Sequence, residues 1–388
     1  MEHFSIIQSL CRIGLGANEP AFRRQVERLQ ESLLASGAEK EAVVLARLLA
    51  TSDKGSELRP SKLSLSGGMF RGERLNEKTP PPVDKETGAP LAEIRFPMDA
   101  DTPLPILGFE LQKALESLVM EWSNLDALGA MEVHPATSCL VYGLPGTGKT
   151  QIAIAIANRL NLPLVIARLD GLISSFLGTT ARNIANLFHF ANRYQCILLL
   201  DEFDAVAKIR DDPHEVGEIK RVVNTLLQSL DARARIGLTL AITNHENLLD
   251  KAIWRRFEVR IFIPLPETQS REKIISQYFP PLRLSDVQLG LVSWLTEGFS
   301  GADIETMSRN VKRYMALNPQ EEFLAALRSY VLTNAGQGAR EHQKLILSDQ
   351  HELARALYKE DARVFNQANL ASLFGKTQPT IARWLKAD

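Results

Sequence analysis

Cysteine is scarce in this chain of 388 residues: Cys11, Cys139 and Cys196 lie far apart, and no CxxC pair occurs. That spacing gives no sign of a disulfide framework or a thiolate zinc site. The seven histidines include no HExxH. The nearest run, His214-Glu215-Val216-Gly217-Glu218, ends in the wrong residue for a zinc-protease helix. Charge of one sign is lacking as well. A count of 45 Lys+Arg against 46 Asp+Glu leaves a net charge of −1, so the whole chain has no pull on nucleic acid or membranes, although a local patch could supply one. No run approaches the roughly 18 apolar residues of a membrane span, and the N-terminal MEHFSIIQSLCRIG has no basic region followed by a long apolar one. Internal repeats and low-complexity segments are missing too. What remains is an ordinary globular mix, 45% hydrophobic and 23% charged, which excludes wholesale disorder and suits two to three domains. The expectation is a soluble, reduced, cytoplasmic protein with no membrane partner.

Residues 1–50 are expected to form an N-terminal helical hairpin. Phe22, Val26, Leu29 and Leu33 recur at helical spacing, Ser36-Gly37 breaks the pattern, and Val43, Val44 and Leu48 are apolar in a second stretch. The hairpin either packs on the next domain or docks a partner. Residues 51–105 hold eight of the 19 prolines together with Gly67-Gly68, which predicts a linker. From 106 to 266 strands alternate with helices. Runs at 138–142, 162–167, 196–200, 236–243 and 259–263 read as strands, with helices at 149–160, 180–191, 215–230 and 250–256. Five strands with crossover helices predict a parallel sheet wrapped on both faces, an α/β fold. Helical stretches follow at 270–279, 285–296, 301–316, 320–333 and 342–359. They divide into a helical domain over 267–335 and a C-terminal module over 340–388.

Gly143-Leu144-Pro145-Gly146-Thr147-Gly148-Lys149-Thr150 fits G-x-x-x-x-G-K-[ST], directly after a strand and opening a helix. A chance match somewhere in this length is roughly one in a hundred before that context is counted. Glycines let consecutive N–H groups turn inward on phosphate oxygens, and the helix adds the positive end of its dipole. Gln151 continues the nucleotide-binding segment. Lys149 is placed to reach the β- and γ-phosphates of ATP, and the Thr150 hydroxyl to ligate Mg²⁺. The apolar run 196–200 ends in Asp201-Glu202-Phe203-Asp204. Carboxylates at the C-terminal end of a buried strand are where an α/β sheet puts its chemistry. Asp201 is expected to hold Mg²⁺, and Glu202 to orient and deprotonate the attacking water, which marks a hydrolase.

These residues resemble an AAA ATPase of the clade that includes FtsH-like and katanin-like machines, over roughly residues 105–316. The resemblance implies an AAA+ P-loop domain over 106–266 and an α-helical lid over 267–335. Ala241-Ile-Thr-Asn244 resembles the sensor strand end, with Asn244 reading the γ-phosphate or its water. The run 249–257 resembles the second region of homology, whose Arg255 and Arg256 would reach into a neighbouring subunit's nucleotide. The Gly298–Ile304 segment resembles the lid motif that packs Gly301 and Ala302 near the nucleotide. The Leu226–Asp231 segment resembles the element that puts Asp231 at the subunit interface. Together they imply an oligomer, a hexameric ring. Ser174-Ser-Phe176-Leu177-Gly178 resembles the pore loop that grips polypeptide substrate; Phe176 is otherwise a buried anchor. The runs 172–183 and 208–224 and the frontal hairpin resemble prokaryotic AAA ATPases encoded beside subtilisin-like peptidases, which implies a serine peptidase partner and a role against phage.

Residues 366–388 have helix-turn-helix spacing. Ala371 sits at the crossing, Gly375 at the turn, Ile381 and Trp384 on the inner face, and Gln378, Thr380, Arg383 and Lys386 on the outer face. This module either binds DNA or serves as a trihelical packing or oligomer contact. Two functions follow: an ATP-driven protein remodeller, or a nucleotide-gated DNA-binding regulator. A scaffold that binds nucleotide without hydrolysis is opposed by Glu202, Asn244 and both arginines.

Overall fold

The computed structural model describes residues 72–98, 104–168, 172, 177–207, 216–233, 237–249, 251–334 and 340–386, with scattered positions between 26 and 45. The chain divides into two units, residues 1–68 and 69–388. In the first, positions 26, 28–30, 33 and 42–45 are helical. Val26, Leu33, Ala42 and Leu45 are buried there, while Val43 is exposed. Phe22 and Leu48 lie outside the described residues.

Among the described residues of the second unit, eight strands form: β1 (Glu73–Arg74), β2 (Ala92–Arg95), β3 (Ser138–Tyr142), β4 (Leu164–Ala167), β5 (Tyr194–Gln195), β6 (Ile197–Leu200), β7 (Thr239–Thr243) and β8 (Val259–Phe262). Six make one sheet in the order β2-β4-β6-β7-β3-β8, and β1 pairs with β5 separately. Within that six-stranded sheet, the five expected strands run parallel to one another. Apolar side chains alternate between two faces. Ile197, Leu199, Leu240 and Ile242 meet the helix α1 (Phe109–Ser123) and the helix α2 (Lys149–Arg159) on one side. Leu198, Leu200 and Ala241 meet α3 (Leu177–Arg193) and α4 (Val216–Arg233) on the other. A strand covered on both faces must be apolar throughout, and β6 is buried at all four positions. Each of these Leu or Ile side chains contributes about 1.5–3 kcal/mol by leaving water.

The sixth strand corrects the linker expectation. β2 pairs antiparallel with β4 at the sheet edge, inside the segment 51–105. Its sequence, Ala92-Glu93-Ile94-Arg95, has the apolar–charged alternation of an edge strand. The surrounding prolines mask that alternation, but they fall outside the pairing register. Val83 and Pro90 bridge ahead of it.

Beyond β8 the chain is helical: α5 (Thr268–Tyr278), α6 (Asp286–Leu295), α7 (Gly301–Leu317), α8 (Phe323–Asn334), α9 (Glu341–Leu347), α10 (Gln350–Glu360), α11 (Gln367–Phe374) and α12 (Gln378–Lys386). The single helix expected over 342–359 is two. Asp349 accepts hydrogen bonds from the N–H groups of His351 and Glu352, and so starts a new helix where apolar periodicity alone reads through. Those bonds hold its carboxyl below the usual range. Residues 340–388, expected as a module of their own, share one apolar core with α5–α8. Leu291 and Leu295 belong to the same buried cluster as Ile346, Leu353, Phe365, Leu370 and Ile381.

Candidate active site

The turn between β3 and α2 is shaped by glycines that no other residue can replace. Gly143 has φ +143°, and a Cβ there would stand 2.3 Å from the Ile263 carbonyl oxygen at the end of β8. Gly146 has φ +78°, and its Cβ would meet Ser300 Oγ at 2.5 Å. Both are steric demands of neighbouring elements as well as of phosphate. Lys149 opens α2 with its ammonium donating to the carbonyl oxygens of Gly143 (2.8 Å) and Leu144 (2.7 Å). Burial lowers its pKa, opposed by the charges of Asp201, Asp204 and Glu246.

β6 delivers the carboxylates. The Thr150 hydroxyl donates to Asp201 Oδ2 at 3.0 Å, so the two expected metal-binding oxygens already converge. Glu202 follows with φ +49°, a left-handed backbone that costs a residue with a Cβ about 1–2 kcal/mol. Its N–H donates to Asp201 Oδ1 at 2.9 Å. The next residue, Phe203, is locked by its N–H to the Ile242 carbonyl at 2.8 Å and by an edge-on contact with Phe257. Thr243 donates to Asp204 Oδ1 at 2.8 Å, which ties the ends of β6 and β7 together, and Asn244 and Glu202 line the same cleft.

The lid closes the far side. Ser300 and Asp303 form a reciprocal capping box at the start of α7. The Ala302 N–H then donates to the Gly146 carbonyl oxygen at 3.1 Å. Pro145, Gly146, Thr147, Gly148, Lys149, Thr150, Gln151, Asp201, Glu202, Asn244, Gly301 and Ala302 line one cleft of about 910 Å³. Gly143 lies just outside it and takes part through its carbonyl. The sequence reading missed the apolar end of the cleft, made by Pro105, Ile106, Ile274 and Tyr278. No motif marks those residues, since any flat apolar surface can serve a base. Ser300 and Asp303 could have been found as an S-x-x-D start signal.

Residues 139–265 match the family "ATPase family associated with various cellular activities (AAA)". The chain is 36% identical over 237 residues to the uncharacterized AAA family ATPase y4kL of Sinorhizobium fredii (strain NBRC 101917 / NGR234), covering 58% of this chain and 69% of that protein. The chain belongs to the AAA family of ATPases. It is also 34% identical over 216 residues to the proteasome-activating nucleotidase of Saccharolobus solfataricus (strain ATCC 35092 / DSM 1617 / JCM 11322 / P2), over 54% of this chain and 55% of that one. A 26S proteasome regulatory subunit, S10B homolog B of Arabidopsis thaliana, is 31% identical over 209 residues, 52% of each. The chain thus spans little more than half of these last two relatives. Among solved structures, the FIGL-1 AAA domain aligns with a TM-score of 0.49 and 23% identity over 73% of this chain and 93% of that one.

This AAA ATPase hydrolyses ATP, and the donor set fits its expected cation. A hydroxyl and a carboxylate are hard oxygen donors, and Mg²⁺ is held by one or two such groups with the substrate phosphates rather than by a protein cage. Among the described residues no cluster of three His, Cys, Asp or Glu offers such a cage. Arg255 and Arg256 do not line the cleft of their own chain. Both are exposed. The Arg256 guanidinium pairs with Asp231 at 3.2 Å, each side chain about half exposed. Phe176 lies outside the described residues, while Leu177 and Gly178 are the first residues of α3. The two described thiols are core groups; burial pushes Cys139 up to about 12 and raises Cys196 too. Among the described residues no helix is long and apolar enough to cross a membrane.

Proposed function

We propose that this AAA ATPase is a protein remodeller that works as a ring in the cytoplasm and threads polypeptide. Lys149 leaves the carbonyls of its own loop for the phosphates of ATP. Glu202 orients the attacking water and takes its proton, and Asn244 holds that water against the γ-phosphate. Thr150 and Asp201 would hold Mg²⁺, which neutralises charge on the phosphate oxygens when bound. The observation that carries the ring is the position of Arg255 and Arg256, exposed and outside their own cleft. An arginine supplied in trans is worth 10³–10⁵ in phosphoryl transfer, and these two, Arg256 in exchange for its half-exposed Asp231 partner, would serve a neighbour's site.

The names of the Saccharolobus and Arabidopsis relatives, both tied to the proteasome, support a polypeptide substrate. Phe176 and Leu177, followed by Gly178, would grip it through apolar contact largely indifferent to sequence. A separate subtilisin-like peptidase is the partner that the resemblance over 172–183 and 208–224 supports, with phage defence as its setting. The alternative, a nucleotide-gated DNA regulator, needs no polypeptide-gripping loop.

ATP turnover with and without a permanently unfolded polypeptide tests the reading. Phe176→Ala should keep basal turnover within roughly a few-fold, because no catalytic group is lost, and should lose stimulation by the unfolded chain. If the unfolded chain does not stimulate the wild type, or stimulates Phe176→Ala equally, threading is refuted. Stimulation by duplex DNA alone would put the regulator in its place.

A further inference from the structure

The C-terminal helices carry a surface that hydrolysis does not use. α11 ends at Gly375, whose φ of +61° lets the chain reverse, and the Lys376 N–H donates back to the Ala371 carbonyl at 2.9 Å. Three residues later α12 begins. Asn366 caps α11 by accepting from the Asn369 N–H. α10 braces the pair: Leu353, Ala354 and Leu357 are buried, Arg355 Nε donates to the Trp384 carbonyl at 2.9 Å, and the His351 ring lies 4.4 Å from that of Trp384. α12 turns Ile381 fully inward, with Trp384 and Leu385 partly buried against the same core. Gln378, Arg383 and Lys386 stay exposed on the outside, as does Lys376 in the turn.

Charge and polarity say what this face fits. The span 362–387 contains Arg363, Lys376, Arg383 and Lys386 and no acidic residue, although 340–388 as a whole is nearly balanced. Glu322 is the acid placed at the turn, 3.2 Å from where a Cβ on Gly375 would stand. Among the described residues of α11 and α12, no large hydrophobic side chain is exposed, although Tyr358 on the bracing helix α10 is. A protein-docking helix would offer an apolar anchor there. A single-strand binder would offer an exposed ring for base stacking, whereas the Trp384 ring packs on His351 and Phe374. An α-helix whose exposed face is polar and cationic fits the width of the DNA major groove. We infer that the outer face of α12, with Lys376, docks into the major groove of duplex DNA. This goes beyond remodelling and does not depend on it. Because these helices share a core with α5–α8, a duplex held there would travel with the lid.

Fluorescence anisotropy of a labelled mixed-sequence duplex with the full chain, titrated over a range of salt, tests the docking. Binding should weaken as salt rises, since each phosphate contact adds about 0.9 to the logarithmic salt slope. The double variant Arg383→Ala/Lys386→Ala should bind at least ~10-fold more weakly with a slope lower by about 2, while its basal ATP turnover is unchanged. Arg383→Lys/Lys386→Arg should restore both the affinity and the slope. Absence of duplex binding at low salt overturns the inference. So does undiminished binding by the double alanine variant, or equal affinity for the single strand alone.

Discussion

Glu202 concentrates the argument at the level of one residue. The motif reading identifies its carboxylate, but nothing in Asp201-Glu202-Phe203 signals the left-handed φ of +49°. That angle follows from contacts made elsewhere: the Asp201 carboxylate takes the Glu202 N–H, and β7 takes the Phe203 N–H. The backbone is thus held in a strained form that places the carboxylate in the cleft. Two variants separate the strain from the chemistry. Glu202→Gln should still bind ATP and turn over at least ~10²-fold more slowly, the usual loss with a general base. Glu202→Gly and Glu202→Ala should both be inactive, yet the glycine variant should be more stable in urea unfolding by about 1 kcal/mol, because only glycine adopts this φ without strain. Equal stability of the two would remove the strain from the account.

Between elements, what was legible followed from periodicity and what was missed followed from single polar contacts. The five expected strands and the covering helices α2, α3 and α4 carry apolar patterns that the sequence reading uses, whereas α1 (Phe109–Ser123) is not among the expected helices. β2 is four residues among prolines, and the break before α10 rests on one aspartate. Arg233 belongs with these. A basic residue in the last turn of α4 looks like a solvated dipole partner, yet it is 1% exposed. Its guanidinium donates to the carbonyls of Ala191, at the end of α3, and Cys196, entering β6 (2.6 Å to the latter). Burial lowers its pKa, with Cys196 the opposing partner. One fork therefore holds two helices to the strand that delivers Asp201. Arg233→Ala would take the guanidinium from the buried Cys196 carbonyl, leave the Ala191 carbonyl with the weak Cys196 S–H donor, and open a cavity, and should cost about 3 kcal/mol in urea unfolding. A loss under about 1 kcal/mol would mean that the fork is dispensable.

At the scale of the whole molecule, the residues proposed to bind ATP and activate water line one cleft of a single chain. Arg255 and Arg256, by contrast, are exposed and do not line it. The Asp231–Arg256 pair makes that arrangement workable. With both side chains about half exposed, solvent screening leaves such a pair worth roughly 0–1 kcal/mol, so Arg256 can exchange Asp231 for a neighbour's phosphate at small cost. Specific ATPase activity should therefore rise with protein concentration as subunits meet. Complementation tests the same point more sharply. Lys149→Ala cripples the site of its own chain but leaves Arg255 and Arg256 intact; Arg256→Ala does the reverse. Each protein alone should be nearly inactive. Mixed, they form interfaces in which an intact cleft from one chain faces an intact arginine from the other, and part of the activity should return. Arginines acting on their own chain's nucleotide would give no recovery at any mixing ratio. A monomer with full, concentration-independent turnover would refute the assignment outright, since in one chain neither arginine lines the cleft.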